Sequence, residues 1–440
     1  DENLRYGADY KLPETTTILH FKDDVGGFSR ATERCIGMGK CRAQSGAMCP
    51  SYQATQEEKY STRGRAHLLH EMVRGEVIKD GWDNKAIVDS FEHCLSCKAC
   101  KTECPTQVDI ATYKAEFLAA HYAHKRRPLN HYPLAYIGNL LPKISRFSWV
   151  FNKLQAGITG QLAQKFLGLS DAKGLPKLAS QSFTSWVKKH AHRQDQQFHW
   201  FGAQDQPTVV LWADSVNNHY RPALLQSAVN VLLKSGHQVA VAKQHFCCGR
   251  PLYEYGFLAQ ALKQLTVILE SFHCKLPAGC SVIVLEPSCL SVFKNELLSA
   301  FPEDTRALDL RKRAKTLTRF LSESSVTLAK QLNSGILHLH CHDKSLGISS
   351  HEREWMLRCF KDLQEPESGC CGMAGTYGLK KQTRAIGQRL YERRLKPAID
   401  NAANNAVVVA NGFSCYEQMM DGQSDRWVLH PVEIIEKCLQ

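Results

Sequence analysis

Cys94, Cys97, Cys100 and Cys104 stand in a C-x2-C-x2-C-x3-C run, and Pro105 follows at once. Three thiolates two residues apart can wrap one corner of a small iron–sulfur cube. The fourth, beside a proline that turns the chain away, points at a different cluster. The run predicts a bacterial-type 4Fe–4S ligand set. A zinc site would show two separated C-x2-C pairs instead of a triplet. The chemistry implied is electron transfer.

Upstream, Cys35, Cys41 and Cys49-Pro50 form a partner run, with Met38 where the middle thiolate of the triplet would stand. Cross-ligation then gives one complete set, Cys94, Cys97, Cys100 and Cys49, and one deficient set, Cys35, Cys41 and Cys104. A thioether is a neutral and weaker ligand than a thiolate. The deficient site is open to a three-iron cluster, a cubane with a labile corner, another metal or no metal. In the last case Cys35 and Cys41 pack as small hydrophobes.

Two further constellations come from an internal repeat. Cys247-Cys248-Gly249 answers Cys370-Cys371-Gly372, and the strand-like Val282–Leu285 before Cys289 answers Val407–Ala410 before Cys415. Thr208–Asp214 answers Ile336–His342, which contains Cys341. A glycine after paired cysteines permits a turn that presents both thiolates. The second repeat gathers Cys341, Cys370, Cys371 and Cys415, with His340 and His342 as alternatives. The first gathers Cys247, Cys248 and Cys289, with Asp214 loosely at its first position. An iron–sulfur cluster, zinc, or buried structural cysteine all remain open for these sets.

The elements that must position these residues follow from periodicity. Ala66, Leu69, Met72 and Val73 recur at helical spacing, and Asp109 suits an N-cap before Tyr113, Phe117 and Leu118. Residues 31–127 therefore read as an all-α, ferredoxin-like domain, preceded by a connector over 1–30. Residues 128–204 read as a helical, aromatic linker, with an interfacial surface segment as the rival reading. Strand–helix alternation then predicts two α/β Cys-Cys-Gly repeat units with largely parallel sheets, 205–325 and 326–440. The fold class is thus multidomain, and Cys289, Cys341 and Cys415 fall at the carboxyl ends of strands, where ligands gather.

At 440 residues, 43% hydrophobic and 22% charged, the chain needs several domains. The 18 cysteines lie in metal-type runs, which fits a reducing, cytoplasmic setting. The start at Asp1-Glu2-Asn3 reads as a cut piece of a longer polypeptide or as a processed one. The formal charge of +12 sits in local runs such as Lys125-Arg126-Arg127 and Arg393-Arg394, read first as solvated faces. Anionic lipid, giving peripheral contact with the inner membrane face, or an acidic redox partner suits them better than nucleic acid, because base-stacking aromatics are not interleaved. Homo-oligomerisation is left open.

Paired ferredoxin runs followed by two Cys-Cys-Gly repeats resemble heterodisulfide-reductase-type iron–sulfur subunits and the iron–sulfur subunits of glycolate oxidase and anaerobic glycerol-3-phosphate dehydrogenase. The segments Cys35–Arg42, Met48–Tyr52, Ser61–Ala66 and Cys247–Tyr253 look more narrowly like the C-terminal half of bacterial FAD/iron–sulfur D-2-hydroxyacid dehydrogenases, of the D-2-hydroxyglutarate and D-lactate types. The resemblance covers roughly residues 31–440. It implies an FAD-binding domain upstream on the same polypeptide, where hydride abstraction occurs. It also implies electron relay through this segment to a quinone or a redox protein. No G-x-G-x-x-G phosphate loop is present, and no catalytic residue is assigned here. The rival functions are a catalytic heterodisulfide-reductase-type subunit, which needs two full ligand sets, and a zinc-stabilised interaction module.

Overall fold

A computed structural model describes residues 10–171, 174–276, 279–324, 326–422 and 426–439, so Asp1-Glu2-Asn3 lies outside the described residues. From Gly27 to His190 all regular elements among the described residues are helices. Three of them frame the cysteine runs. Thr62–Arg74 starts at Ser61, whose hydroxyl accepts from the Gly64 amide, and buries Ala66, Leu69 and Met72. Lys85–Glu92 is capped by Asn84, and Ile110–His121 by Asp109, whose carboxylate accepts from the Thr112 amide. Each cap satisfies an amide that the first helical turn cannot pair. Phe28, Phe91 and Phe117 close the core between these helices. The expected connector is tied to this body: the Glu116 carboxylate accepts from the amides of Ile18 and Leu19.

Ten strands follow. β1 (Arg193–Gln194), β2 (Phe198–Phe201), β3 (Thr208–Leu211), β4 (Gln238–Ala242), β5 (Ser281–Ile283) and β6 (Ala314–Lys315) form one sheet in the order β1-β2-β4-β3-β5-β6. β7 (Leu332–His338), β8 (Phe360–Gln364), β9 (Val407–Ala410) and β10 (Val428–Leu429) form another in the order β10-β9-β7-β8. The runs β4-β3-β5-β6 and β8-β7-β9-β10 are parallel throughout and share one strand order. Val210 lies opposite Ala240 and Val282, and Ile336 opposite Val408.

The first sheet begins earlier than the reading of 128–204 as a linker anticipated. β1 and β2 add an antiparallel hairpin, with Phe198 opposite Ala242. Asp195 shapes its turn by accepting from the Gln197 and Phe198 amides. All four residues of β2 are buried, so it lacks the alternation that marks a half-exposed strand.

One apolar core joins the two sheets, including Val209, Leu211, Val239 and Ile283 from the first and Leu337 and Val409 from the second. The C-terminal helix Pro431–Cys438 crosses back onto Pro222–Lys234, where Asn230 donates to Glu436, and Arg221 before that helix pairs with Glu433 at 2.8 Å. Among the described residues no helix is long and apolar enough to cross a membrane.

Candidate metal centres

Cys49, Cys94, Cys97 and Cys100 are all buried in the helical region. The backbone bends around them through left-handed conformations at Cys49 (φ 52°), Ser96 (φ 51°) and Lys98 (φ 59°). Such conformations cost non-glycine residues energy and persist where the surroundings impose them. The Thr62 amide and hydroxyl lie 2.8 and 2.7 Å from the Cys49 sulfur, and the amides of Ala99 and Ile110 point at Cys97 and Cys100. Amides aimed at sulfur suit thiolates better than thiols. Burial, helped by the neighbouring sulfurs and, at Cys100, by Asp109, pushes Cys49 and Cys97 well up and Cys100 to about 12, so ionised sulfurs here call for a metal charge to hold them. The donor set therefore fits an iron–sulfur cluster.

Cys49 interacts electrostatically with Cys100, and Cys97 with Cys94 and Cys100. Cys35, only half buried, interacts instead with Cys41 and Cys104. Cys41 stands between the two groups: a hydrogen bond with Cys49 draws it down to about 6. Met38 is 64% exposed, so its thioether faces solvent. Beside Cys35 opens a surface cleft of about 260 Å³, lined in part by Arg30, Ile36 and His67.

In the second sheet, Cys341 begins the helix Cys341–Leu346 directly after β7, and Cys415 lies in the first turn of Phe413–Gly422 after β9. Cys370 and Cys371 sit between Gly369 (φ 60°) and Gly372 (φ 87°). A Cβ on Gly372 would lie 2.1 Å from the Gly387 carbonyl oxygen, so glycine is required there by both conformation and space. Cys341 is an electrostatic neighbour of Cys370, Cys370 of Cys371 and Cys371 of Cys415, so the four buried thiols form a chain of neighbours.

His338 joins them, within 4.8 Å of both Cys371 and Cys415. Its Nδ1 is engaged by Ser368 at 2.7 Å, and its ring lies against the Cys371 sulfur. The two histidines named from sequence do other work. The Nδ1 of His340 caps its helix by accepting from the His342 amide. His342 Nε2 lies 3.1 Å from the Ser96 carbonyl oxygen and 3.0 Å from Arg250.

In the first sheet Cys248 and Cys289 sulfurs are 3.0 Å apart, and Cys247 bonds Cys248. Asp214 does not occupy the fourth position. It caps Ser215–Tyr220, accepting from the Asn217 amide at 2.8 Å, just as His340 caps the helix that Cys341 begins. Burial and Glu286 raise its carboxyl to about 7. The counterpart of Cys341 is Ser215, whose hydroxyl bonds Cys247 as Cys341 bonds Cys370. This site has three thiols and one hydroxyl.

A buried charge network fastens the two regions together. Arg250 donates to the Ser96 carbonyl at 2.6 Å and pairs with Glu296. Lys98, 2% exposed, lies 3.3 Å from both Asp109 and Glu296. Lys114 donates to the Cys94 carbonyl and pairs with Glu254. The result is that Cys341 packs in the same core as Cys94, Cys97 and Cys100, and is the first electrostatic neighbour of Cys97.

The fold and these cysteine sets define an iron–sulfur component of the oxidoreductase class. Residues 31–108 match the 4Fe-4S dicluster domain, and residues 214–294 and 358–420 match the cysteine-rich domain. Its cofactors are accordingly iron–sulfur clusters. Among curated relatives, the D-2-hydroxyglutarate dehydrogenase of Pseudomonas putida is 24% identical, covering 92% of this chain and 43% of its own length. The glycolate oxidase iron-sulfur subunit of Escherichia coli is 23% identical over 92% of this chain and 94% of its own. A subunit of the anaerobic glycerol-3-phosphate dehydrogenase of Escherichia coli is 27% identical over 63% of this chain and 69% of its own. The chain spans less than half the length of the D-2-hydroxyglutarate dehydrogenases it matches.

Proposed function

We propose that this chain is the iron–sulfur electron relay of an FAD-dependent D-2-hydroxyacid dehydrogenase acting on D-2-hydroxyglutarate or D-lactate. The observation that carries the reading is the burial of Cys341 in the same core as Cys94, Cys97 and Cys100, close enough for Cys341 to act electrostatically on Cys97, which sets the second-repeat cysteines beside the complete set. The set of Cys35, Cys41 and Cys104, of which Cys35 lines the surface cleft, receives electrons. Cys94, Cys97, Cys100 and Cys49 hold a 4Fe–4S cluster behind them. Cys341, Cys370, Cys371 and Cys415, with His338 at hand, hold the next centre. Clusters in these sets supply one-electron carriers. The protein's own part is to exclude water, aim amides at the sulfurs and fix the sets against one another through Arg250, Lys98 and Lys114.

The supporting domain reading is a helical ferredoxin-like unit over 31–127 and two α/β repeats that share a strand order. An FAD-binding domain precedes them on the same polypeptide, in keeping with the greater length of the relatives. The acceptor is a quinone or a redox protein, and the setting is cytoplasmic. Ser215 in place of a fourth thiol weighs against a heterodisulfide-reductase-type subunit, which needs two full sets.

The test is anaerobic mixing of the full polypeptide with D-2-hydroxyglutarate or D-lactate while visible absorbance is followed. A brown chromophore that bleaches with one of them supports the reading. A colourless, zinc-loaded protein, or a brown one that neither acid bleaches, contradicts it.

A further inference from the structure

Residues 117–170 contain seven lysines and arginines and not one aspartate or glutamate. Within this stretch the helix Ile137–Ile144 leads to Phe147 and to the helices Ser148–Gln155 and Ile158–Phe166, which with Phe147 carry a run of exposed apolar side chains. Phe147 is 64% exposed, Trp149 72% and Ile158 76%, and Leu154, Leu162 and Phe166 are exposed with them. Lys143, Arg146, Lys153 and Lys165 are interspersed among these residues, all exposed. Leaving six large apolar groups in water is unfavourable, and a contiguous exposed patch of this kind marks an interaction surface.

We propose that these helices are the docking surface of the protein on an anionic lipid bilayer. Two features choose lipid over a protein partner. Trp and Phe at the tips, with Lys and Arg flanking and no acidic group to repel phosphate, is the pattern of an interfacial helix that sinks its apolar residues to the headgroup level. The exposed positive charge of Lys143, Arg146, Lys153 and Lys165 complements a negative leaflet.

The surface is also rooted in a cysteine site. A Cβ on Gly138 would lie 2.3 Å from the Cys247 sulfur, and Gly138 gives its carbonyl to His245 Nε2 at 2.9 Å. Docking there brings the first Cys-Cys-Gly site to the membrane, where a lipid-soluble quinone can reach it. This part of the inference rests on the electron-relay reading, whereas the lipid contact itself does not.

The experiment is co-sedimentation of the full protein with vesicles of mixed phosphatidylcholine and phosphatidylglycerol, and with vesicles of phosphatidylcholine alone. Binding to the mixed vesicles, weakened by salt, is expected. The triple variant Lys143→Gln, Arg146→Gln, Lys153→Gln should lose on the order of 100-fold in affinity. Trp149→Ser should lose about tenfold or more. Both side-chain sets are exposed, and an unchanged visible and circular dichroism spectrum certifies the fold. Binding to neither vesicle, or to mixed vesicles with an affinity these variants leave unchanged, overturns the proposal. So does equal binding to both vesicle types. Bleaching of the chromophore by the hydroxyacid, measured on the same samples without lipid, reports separately on the relay.

Discussion

Replacing Lys98 with Met removes a buried positive charge from between two cysteines of the complete set. Burial works against this ammonium, but Asp109 and Glu296 outweigh it and hold the lysine protonated. Each carboxylate is 3.3 Å away. At an effective dielectric of about 20 each pair is worth roughly 5 kcal/mol of gross attraction, most of it offset by desolvation. Breaking a buried pair typically costs about 3–5 kcal/mol. Glu296 keeps Arg250 and Asp109 keeps Lys101 at 3.4 Å, which places Lys98→Met near the lower end, at about 3 kcal/mol. The same charge attracts an electron added nearby. A residual attraction of about 1 kcal/mol corresponds to roughly 40 mV for a one-electron couple, so the midpoint potential should fall by tens of millivolts. Urea unfolding and a redox titration of the same sample read both effects, and Lys98→Arg should restore the potential. A stability change below about 1 kcal/mol together with an unmoved potential would refute the reasoning.

Cys49→Ser and Cys97→Ser should abolish the same cluster signal in the electron paramagnetic resonance spectrum of the reduced protein; loss of different signals would disprove the shared site. Ser215→Cys completes a fourth thiol beside Cys247, so metal content per chain should rise, and an unchanged content would show that the first Cys-Cys-Gly turn is purely structural. Gly372→Ala drives a Cβ into the Gly387 carbonyl from a left-handed backbone. It should cost several kcal/mol, about 3 or more, and strip metal from the second site, and a variant with wild-type unfolding and metal content would contradict that geometry.

The gathering of Cys94, Cys97 and Cys100 in one buried cluster was legible because C-x2-C-x2-C is a local pattern with a local cause. The repeat was legible too, since paired cysteines before glycine recur ahead of apolar strands. What escaped depended on register or on distance. Ser215 was missed by one residue because strand ends align loosely, and only the capping roles of Asp214 and His340 fix which residue begins each helix. His338 was missed because it lies inside β7, where an apolar strand masks a ligand-type side chain. Met38 looked like a weak ligand from its place in the run, yet it faces solvent. Arg250 and Ser96 are 154 residues apart, and no sequence period reveals such a pair.

The central claim is that electrons pass through neighbouring metal centres, one at the complete ferredoxin set and one at the second-repeat cysteines beside it. Anomalous diffraction from crystals of the anaerobically purified protein, recorded on both sides of the iron and zinc absorption edges, tests it most directly. The account predicts iron at Cys49, Cys94, Cys97 and Cys100, and a second iron centre at Cys341, Cys370, Cys371 and Cys415. Zinc at the first of these sets, or no metal at the second, would contradict it.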